Sequence, residues 1–276
     1  YGFSDFSTFG DKHGESETTG FEFDPQIAQD AGDWISQKAP ADNPWFLAVN
    51  LVNPHDIMFH STGSEQQNSQ LNPEFIAPVM PNSVYEETNW GIPLPESFYQ
   101  HNFNQELEAN TNWRQLTQLM FGQIPQENEH AWYNFQNQYF RCIVEVDKTI
   151  GRVMEHLENS SFADNTVVVF TSDHGELAGA HGLRSKEGGS FEEAMAVPLL
   201  IKTPNQDMGL RYNGVSSHLD LVPTILAFAG ASRAQQQQFA PELKGYNLAG
   251  FVDSGYRSGG IRQNALLMQT CLHELD

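Results

Sequence analysis

Apolar positions recur along the chain in two different patterns, and each pattern predicts a different element. Between residues 131 and 158 they return every three or four positions, which predicts one long amphipathic helix with a core-facing side. Three short runs are apolar almost throughout, which is typical of buried strands. These runs are residues 45–52 (WFLAVNLV), 166–171 (TVVVFT) and 197–202 (VPLLIK). Pro198 places the last run at a strand start or a sheet edge.

Two further helices are predicted from the residues that begin them. Asp24 is a candidate N-cap for a helix over residues 25–38, with Pro25 in the first helical position. Ser217 is a candidate N-cap for a helix over residues 218–229. Both predictions depend on short polar side chains that accept hydrogen bonds from the first free amides of a helix.

Residues 60–130 show no sustained hydrophobic period and are rich in Asn, Gln, Pro and aromatic side chains. We expect long loops and short helices there, which form either lids and substrate walls or a surface insertion. Residues 265–270 (ALLMQT) are a candidate last strand. Because the predicted strands alternate with helices, the fold class is α/β, with a largely parallel or mixed sheet.

The composition narrows the function classes. The chain has 276 residues, with 14 Lys and Arg against 35 Asp and Glu, so its formal net charge is −21. That charge argues against binding to nucleic acid or to an anionic membrane surface, both of which need a basic footprint. No stretch of about 18 uncharged apolar residues occurs, so we expect no membrane span. The two cysteines form no disulfide framework, and Cys142 is interpreted as a core residue of the long helix.

Two of the predicted strands end in polar clusters, which is where ligands gather in open α/β sheets. The clusters are Asn-Pro-His-Asp at residues 53–56 and Ser-Asp-His-Gly-Glu at residues 172–176. The neighbouring Asp173 and His174 can share a divalent cation, or they can form a capped turn with a surface histidine. His55 can act as a general acid or an oxyanion donor, or it can be structural.

A glycine-containing loop carries a cation twelve residues after His174. Lys186 stands in the sequence HGLRSKEGG, residues 181–189, where small residues allow a close approach to an anionic oxygen. Taken alone, a solvated loop lysine is the simpler interpretation of this residue.

Together these pieces resemble the sulfatase family of the alkaline phosphatase superfamily. The matching stretches, in the order in which they occur in the family, are NPWFLAVNLVNPHD (43–56), CIVEVDKTIGRVMEHLE (142–158), NTVVVFTSDHGELAGAHGLRSKEGGSFEEAMAVPLLIKTP (165–204) and VSSHLDLVPTILAFAG (215–230). The Asp-His form of the pair at 173 and 174 is most similar to the branch that holds choline sulfatases and phosphonate monoester hydrolases. Many other sulfatases have Asn in place of His174.

The resemblance implies a role for each matching residue. Asp173 and His174 match the second pair of divalent-metal ligands of the family. Lys186 matches the lysine that holds an oxygen of the sulfuryl or phosphoryl group and the leaving-group side. His55 matches the active-site histidine that contacts the ester oxygen.

The family also has elements that this sequence does not contain. Sulfatases use a formylglycine made from Cys or Ser in a Cys/Ser-x-Pro-x-Arg motif, and neither Cys142, Cys271 nor any serine here stands in such a motif. The early Asp-Asp metal pair of the family is absent too. Both features lie N-terminal to the part that this chain resembles. We therefore expect residues 1–276 to be the central and C-terminal portion of a sulfatase catalytic domain, inactive alone, with residues 246–276 beginning its C-terminal subdomain.

The fold implied by the resemblance is α/β and alkaline-phosphatase-like, a three-layer sandwich with a mixed central β-sheet. The implied function is hydrolysis of a small-molecule or glycan sulfate ester with one divalent cation, most readily Ca²⁺, with Mn²⁺ and Mg²⁺ as alternatives. Two other functions stay open at this point. One is hydrolysis of phosphonate monoesters or phosphodiesters, and the other is a non-catalytic, sulfatase-like binding protein. The resemblance leaves open the oligomeric state and the choice between bacterial periplasm and cytoplasm.

Overall fold

The structure is a computed structural model that describes residues 3, 5–7, 19–39, 43–69, 90–100, 107–186, 191–204, 209 and 211–253. Helices make up most of the regular structure in these ranges. The α-helices are α1 (Thr19–Ser36), α2 (Ser64–Ser69), α3 (Glu96–Gln100), α4 (Glu108–Phe121), α5 (Glu129–Glu158), α6 (Glu192–Met195), α7 (Leu221–Phe228), α8 (Arg233–Phe239) and α9 (Ala249–Asp253). The strands are β1 (Val168–Thr171) and β2 (Leu199–Lys202). None of the described helices combines the length and the apolar character needed to cross a bilayer.

The long helix predicted over residues 131–158 is confirmed as α5, which spans Glu129–Glu158. Asn128 caps it, because its side-chain oxygen accepts a hydrogen bond from the amide of Ala131 at 3.2 Å. Phe135 is fully buried on its inner face, and Cys142 is a buried free thiol, as its place in the apolar stripe predicts. The helix therefore supplies one wall of the core.

One hydrophobic cluster joins α5 to segments far away in the sequence. Its buried members are Ile57, Leu94, Phe98, Ile124, Ala131, Trp132, Phe135, Cys142 and Ala178. Ile57 lies two residues after His55, and Ala178 lies four residues after His174. The polar clusters at the ends of two predicted strands are thus attached to the same core.

The chain divides into two compact units. The first contains residues 1–164 and 170–199, and the second contains residues 165–169 and 200–276. His55, Asp173, His174 and Lys186 all belong to the first unit.

The second unit contains the helix predicted over residues 218–229. It begins as a single 3-10 turn, His218–Asp220, and continues as α7. The amide of Ser217 donates to the carboxylate of Asp220 at 2.9 Å, so the predicted start is confirmed. The candidate strand at 265–270 and most of the segment 246–276 lie outside the described residues.

The first helix begins earlier than predicted, and the assignment of Asp24 as its N-cap is wrong. Helix α1 starts at Thr19, so that Pro25 lies inside it. The Asp24 side chain is fully buried and accepts hydrogen bonds from the amides of Val52 at 2.6 Å and Asn53 at 2.9 Å. Because these tertiary contacts occupy both carboxylate oxygens, Asp24 ties α1 to the segment that precedes His55.

The strands agree with the prediction only in part. The runs at 166–171 and 197–202 contain β1 and β2, which are shorter than predicted and pair in a two-stranded sheet. Pro198 comes directly before β2, as expected for a strand start.

The run at 45–52 is wrong as a strand, although its residues alternate between partly buried and exposed from Trp45 to Asn50. A strand needs a ladder partner, and in the part of the chain that the structure describes the only ladder joins β1 and β2. The expected larger central sheet is therefore not seen among these residues.

The region 60–130, predicted to hold loops and short helices, contains α2, α3 and the 14-residue α4 among its described residues. The buried Gln66 of α2 fastens this region internally. Its side-chain amide donates to the carbonyl oxygen of Phe121 at 2.8 Å, which links α2 to the last residue of α4.

We predict that Asp24→Ala lowers the free energy of unfolding by about 2–4 kcal/mol, because two buried backbone amides lose their acceptor. Urea unfolding followed by circular dichroism measures this change. The matched control is Asp33→Ala, which removes an exposed carboxylate from the same helix. Equal losses in the two variants would contradict the assignment of Asp24 as a buried tether.

Candidate active site

The polar cluster at residues 172–176 is a turn that directly follows β1. The Ser172 hydroxyl donates to the carbonyl oxygen of His174 at 2.7 Å, and the amide of His174 donates to Asp173 Oδ1 at 2.9 Å. These short-range hydrogen bonds define the turn, and they leave the Asp173 side chain 79% exposed. Asp173 is therefore both a capping residue of the turn and an accessible carboxylate.

The imidazole of His174 is oriented by the backbone. Its Nδ1 atom lies 2.9 Å from the carbonyl oxygen of Gly175. Because a carbonyl oxygen only accepts, Nδ1 carries the proton, and the lone pair of the neutral ring is on Nε2. Nε2 lies 3.4 Å from Asp173 Oδ2.

These two atoms fit a shared divalent cation. Ligand atoms about 2.0–2.4 Å from one ion, at roughly right angles, lie about 3 Å apart, close to the separation of His174 Nε2 and Asp173 Oδ2. A metal-bound histidine usually donates its other ring N–H to a carbonyl or carboxylate, as His174 does to Gly175. Across the described ranges there is no group of three or more His, Cys, Asp or Glu residues arranged for a metal ion. The pair therefore fits as two ligands of a larger set.

Gly175 is required by close packing behind this turn. Its amide donates to the carbonyl oxygen of Ala194 at 2.8 Å. A Cβ atom at position 175 would overlap the backbone carbonyl of Glu193. Only glycine lets the turn lie directly against the α6 segment.

The buried carboxylate of Glu176 organises the loop that follows. Glu176 Oε1 accepts hydrogen bonds from the amide of Ser185 at 2.6 Å and from the amide of Ala178 at 3.2 Å. Leu177 adds a backbone hydrogen bond to the carbonyl of Ser185 at 3.1 Å. Burial raises the pKa of the Glu176 carboxyl, while the two amides and the nearby Lys186 cation act in the opposite direction. The hydrogen bond between Glu176 and Ser185 thus closes the loop at its base, and Lys186 is the next residue in the chain.

Lys186 is not a solvated loop lysine. Its ammonium nitrogen is shielded from solvent, and its charge acts on the buried carboxylate of Glu176. Ser185, the preceding residue, has a positive φ of 71° and is held by Glu176 through its amide. The direction in which the chain leaves the loop at Lys186 is therefore set by Glu176, which sequence reasoning missed.

Helix α4 fastens the same loop from another side. The buried guanidinium of Arg184 donates to the carbonyl oxygen of Gly122, next to the end of α4. Burial lowers the pKa of Arg184 to about 9, and the Glu176 carboxylate opposes that shift. Arg114 on α4 donates to the carbonyl oxygen of Gly182 at 3.0 Å.

His181 packs at the outer part of this loop. Its ring stacks on Phe191 with centroids 4.0 Å apart, and its Nε2 lies 3.4 Å from Glu193 Oε2. Its backbone has a positive φ of 56°. These contacts make His181 a structural contact between the loop and the α6 segment.

The other polar cluster, residues 53–56, leads into a single 3-10 turn, His55–Phe59. The amide of His55 donates to the carbonyl oxygen of Val52 at 2.8 Å, and the side chain of Ile57 enters the core cluster. His55 Nδ1 lies 2.7 Å from Oδ1 of Asp56, whose side chain is 2% exposed. Asp56 was not among the residues predicted from the sequence, although its position directly after His55 was visible.

The structure thus brings the four predicted site residues into one unit, on two turns that share a core. Asp173 and His174 meet at their side chains, and Lys186 returns to the base of the same loop. His55 is linked to them through Ile57 and the shared cluster.

Comparison with known proteins shows which family this arrangement belongs to. The sulfatase family model matches residues 2–231. The chain is 29% identical over 210 residues to the uncharacterized sulfatase YidJ of Escherichia coli, covering 76% of this chain and 36% of that protein. It is 26% identical over 249 residues to the choline-sulfatase of Rhizobium meliloti, covering 87% of this chain and 43% of that protein. The chain therefore spans less than half the length of these relatives.

A solved structure has a similar fold. The phosphonate monoester hydrolase of Agrobacterium radiobacter matches with a TM-score of 0.57 and 21% identity, covering 90% of this chain and 44% of that one. At this identity the likeness shows the fold alone, which is that of sulfatases and alkaline-phosphatase-like proteins. The family model extends over well more than half of the 276 residues, and the resemblance seen in the motifs is confirmed: the chain belongs to the sulfatase family.

Proposed function

We propose that the protein containing this chain hydrolyses sulfate esters with the help of one divalent cation. The observation that carries the proposal is the pair of donor atoms after β1, His174 Nε2 and Asp173 Oδ2, 3.4 Å apart. In a chain of the sulfatase family this pair supports a cation site. Ca²⁺ is the ion we favour, with Mn²⁺ and Mg²⁺ as alternatives, since the Asp173 carboxylate is the kind of oxygen donor that all three prefer.

Each of the four predicted residues has a task in this proposal. Asp173 and His174 would hold the cation, which supplies charge stabilisation for the transferring group when bound. Lys186 would neutralise an oxygen of the sulfuryl group, because its ammonium is held at a closed loop base rather than in open solvent. His55 would assist the departing ester oxygen.

The proposal extends to the domain and the substrate. Residues 1–276 are the central and C-terminal portion of a three-layer sulfatase domain with a mixed central sheet, in which β1 and β2 are part of a larger sheet. Formylglycine is the expected nucleophile, and its Cys/Ser-x-Pro-x-Arg motif does not occur among these residues. The substrate class is a small-molecule or glycan sulfate ester.

Relative rates on two chromogenic esters test this function. We expect the full gene product, supplied with Ca²⁺, to hydrolyse 4-nitrophenyl sulfate faster than 4-nitrophenyl phenylphosphonate. The reverse order would assign it to the phosphonate monoester hydrolases. Binding of sulfated glycans without turnover of any ester would favour a non-catalytic binding protein. Residues 1–276 alone should show no turnover, and metal-dependent hydrolysis by them, lost in Asp173→Ala, would overturn the formylglycine mechanism.

Replacement of Lys186 tests the anion contact. In the full gene product, Lys186→Ala should lower kcat on 4-nitrophenyl sulfate by about 10²–10³-fold, the usual loss for one electrostatic stabiliser. The matched control is Lys148→Ala, which removes an exposed lysine from α5 and should leave kcat unchanged. Thermal melting of both variants separates the kinetic effect from loss of fold. Near-normal turnover of a folded Lys186→Ala variant would remove Lys186 from the site.

Paramagnetic broadening tests the metal ligands without any activity. When Mn²⁺ is added to the ¹⁵N-labelled chain 1–276, the ring signals of His174 should broaden first, because its Nε2 is a proposed ligand. Asp173→Asn should weaken this broadening, whereas the exposed control Asp164→Asn should leave it unchanged. Affinity should be low, because water must complete a shell of about six ligands around Mn²⁺. Broadening that centres elsewhere or survives Asp173→Asn would contradict the assignment.

A further inference from the structure

The carboxylate of Asp56 lies in an unusual place for a charged group on a surface turn. Its side chain is 2% exposed, and its Oδ1 atom lies 2.7 Å from Nδ1 of His55. The neighbouring residues Ile57, Met58 and Phe59 are buried apolar side chains. Burial of a carboxylate costs free energy unless it is hydrogen-bonded, and the His55 ring supplies a hydrogen-bond partner for Oδ1.

A second buried acid makes the position of Asp56 more costly. Asp24, which is fully buried, is close enough for its charge to act on Asp56. Asp24 uses its two oxygens on the amides of Val52 and Asn53, at the entrance of the same turn. Two buried carboxylates therefore contact this part of the chain, Asp24 at the backbone just before the turn and Asp56 at the ring of His55.

The hydrogen bond from His55 determines which ring nitrogen can react. An ionised carboxylate only accepts, so the proton between the two groups belongs to His55 Nδ1. Proton exchange with a substrate then takes place at Nε2. His174 follows the same rule with a different acceptor, since its Nδ1 donates to the carbonyl of Gly175.

We propose that Asp56 is the positioning residue of His55, an inference that rests on the proposed sulfatase function. Asp56 holds the proton on Nδ1 and turns Nε2 toward the leaving oxygen of the ester. The nucleophile, a hydrated aldehyde that has given one hydroxyl proton to water, forms a new O–S bond, while the S–O bond of the ester breaks and its electron pair stays on the leaving oxygen. The proton on Nε2 of the imidazolium passes to that oxygen and gives the alcohol. The ring is left neutral, with its Nδ1 proton still donated to Asp56.

Nitrogen NMR of the His55 ring tests the inference in the chain 1–276 itself. At a pH at which the ring is neutral, we expect a protonated Nδ1 and an unprotonated Nε2. In Asp56→Asn the amide can donate to Nδ1, so the proton should move to Nε2 in a large share of molecules. The control Asp33→Asn, an exposed change on α1, should leave the tautomer unchanged.

Two results would overturn the inference. One is a wild-type ring protonated at Nε2, which decides the matter even where Asp56→Asn does not fold. The other is a folded Asp56→Asn variant that keeps the wild-type tautomer. A merely structural role of Asp56 would lower stability without moving the ring proton.

Kinetics of the full gene product add a second readout. Asp56→Asn should lower kcat on 4-nitrophenyl sulfate by about 10²–10⁴-fold, with a smaller change in KM, since a wrong histidine tautomer acts on the chemical step. Wild-type-like kcat would overturn the inference. If the wild-type protein shows no sulfatase turnover, the proposed function fails, while the tautomer measurement still decides whether Asp56 sets the ring of His55.

Discussion

The hydrogen bonds from two backbone amides to the buried carboxylate of Glu176 are the contact on which the candidate site depends. They close the loop at Ser185, so that Lys186 comes close to Glu176, which lies two residues after His174 in the sequence. Backbone amides buried without a hydrogen-bond partner cost free energy, and a carboxylate buried without one costs more. Here the amides donate to the carboxylate, so both groups are hydrogen-bonded. Arg184 and Lys186 add positive charge around the same acid.

The same arrangement occurs at two other places in the described chain. Asp24 accepts the amides of Val52 and Asn53, and Asp220 accepts the amides of Ser217 at 2.9 Å and Tyr246 at 2.7 Å. In each case a buried carboxylate accepts hydrogen bonds from backbone amides that have no partner in a β-ladder. A strongly acidic chain thus uses some of its carboxylates as internal acceptors, which allows loops rather than regular elements to hold the candidate site residues.

Packing then relates the two turns to each other. Ile57 and Ala178 lie in one cluster around Phe135, so the turn of His55 and the loop of Glu176 rest on the same inner face of α5. Nδ1 of His55 contacts a carboxylate and Nδ1 of His174 donates to a carbonyl, so both rings are oriented through the same nitrogen. The contacts at Nδ1 therefore orient both imidazole rings of the candidate site.

Periodicity alone was enough to locate α5, and the β-branched runs located β1 and β2, because these elements follow from local propensity and a single buried face. The motif after β1 likewise indicated Asp173, His174 and Lys186 as candidate residues, since an adjacent acid and imidazole and a nearby cation are visible in a linear sequence. The tertiary structure decided what each acid does. Asp24 has the residue type of an N-cap, yet its acceptors lie 28 and 29 positions away.

The sequence did not separate Glu176 and Asp56 from ordinary polar residues of a turn, because their importance comes from burial. The run at 45–52 has the composition of a strand, but pairing depends on a neighbour that no local pattern specifies. The sequence by itself therefore determined the family, the long helix and the residue types of the site. Only the tertiary structure decided which carboxylates are buried and which backbone groups and rings they contact, because burial and hydrogen-bond geometry arise when distant segments pack together.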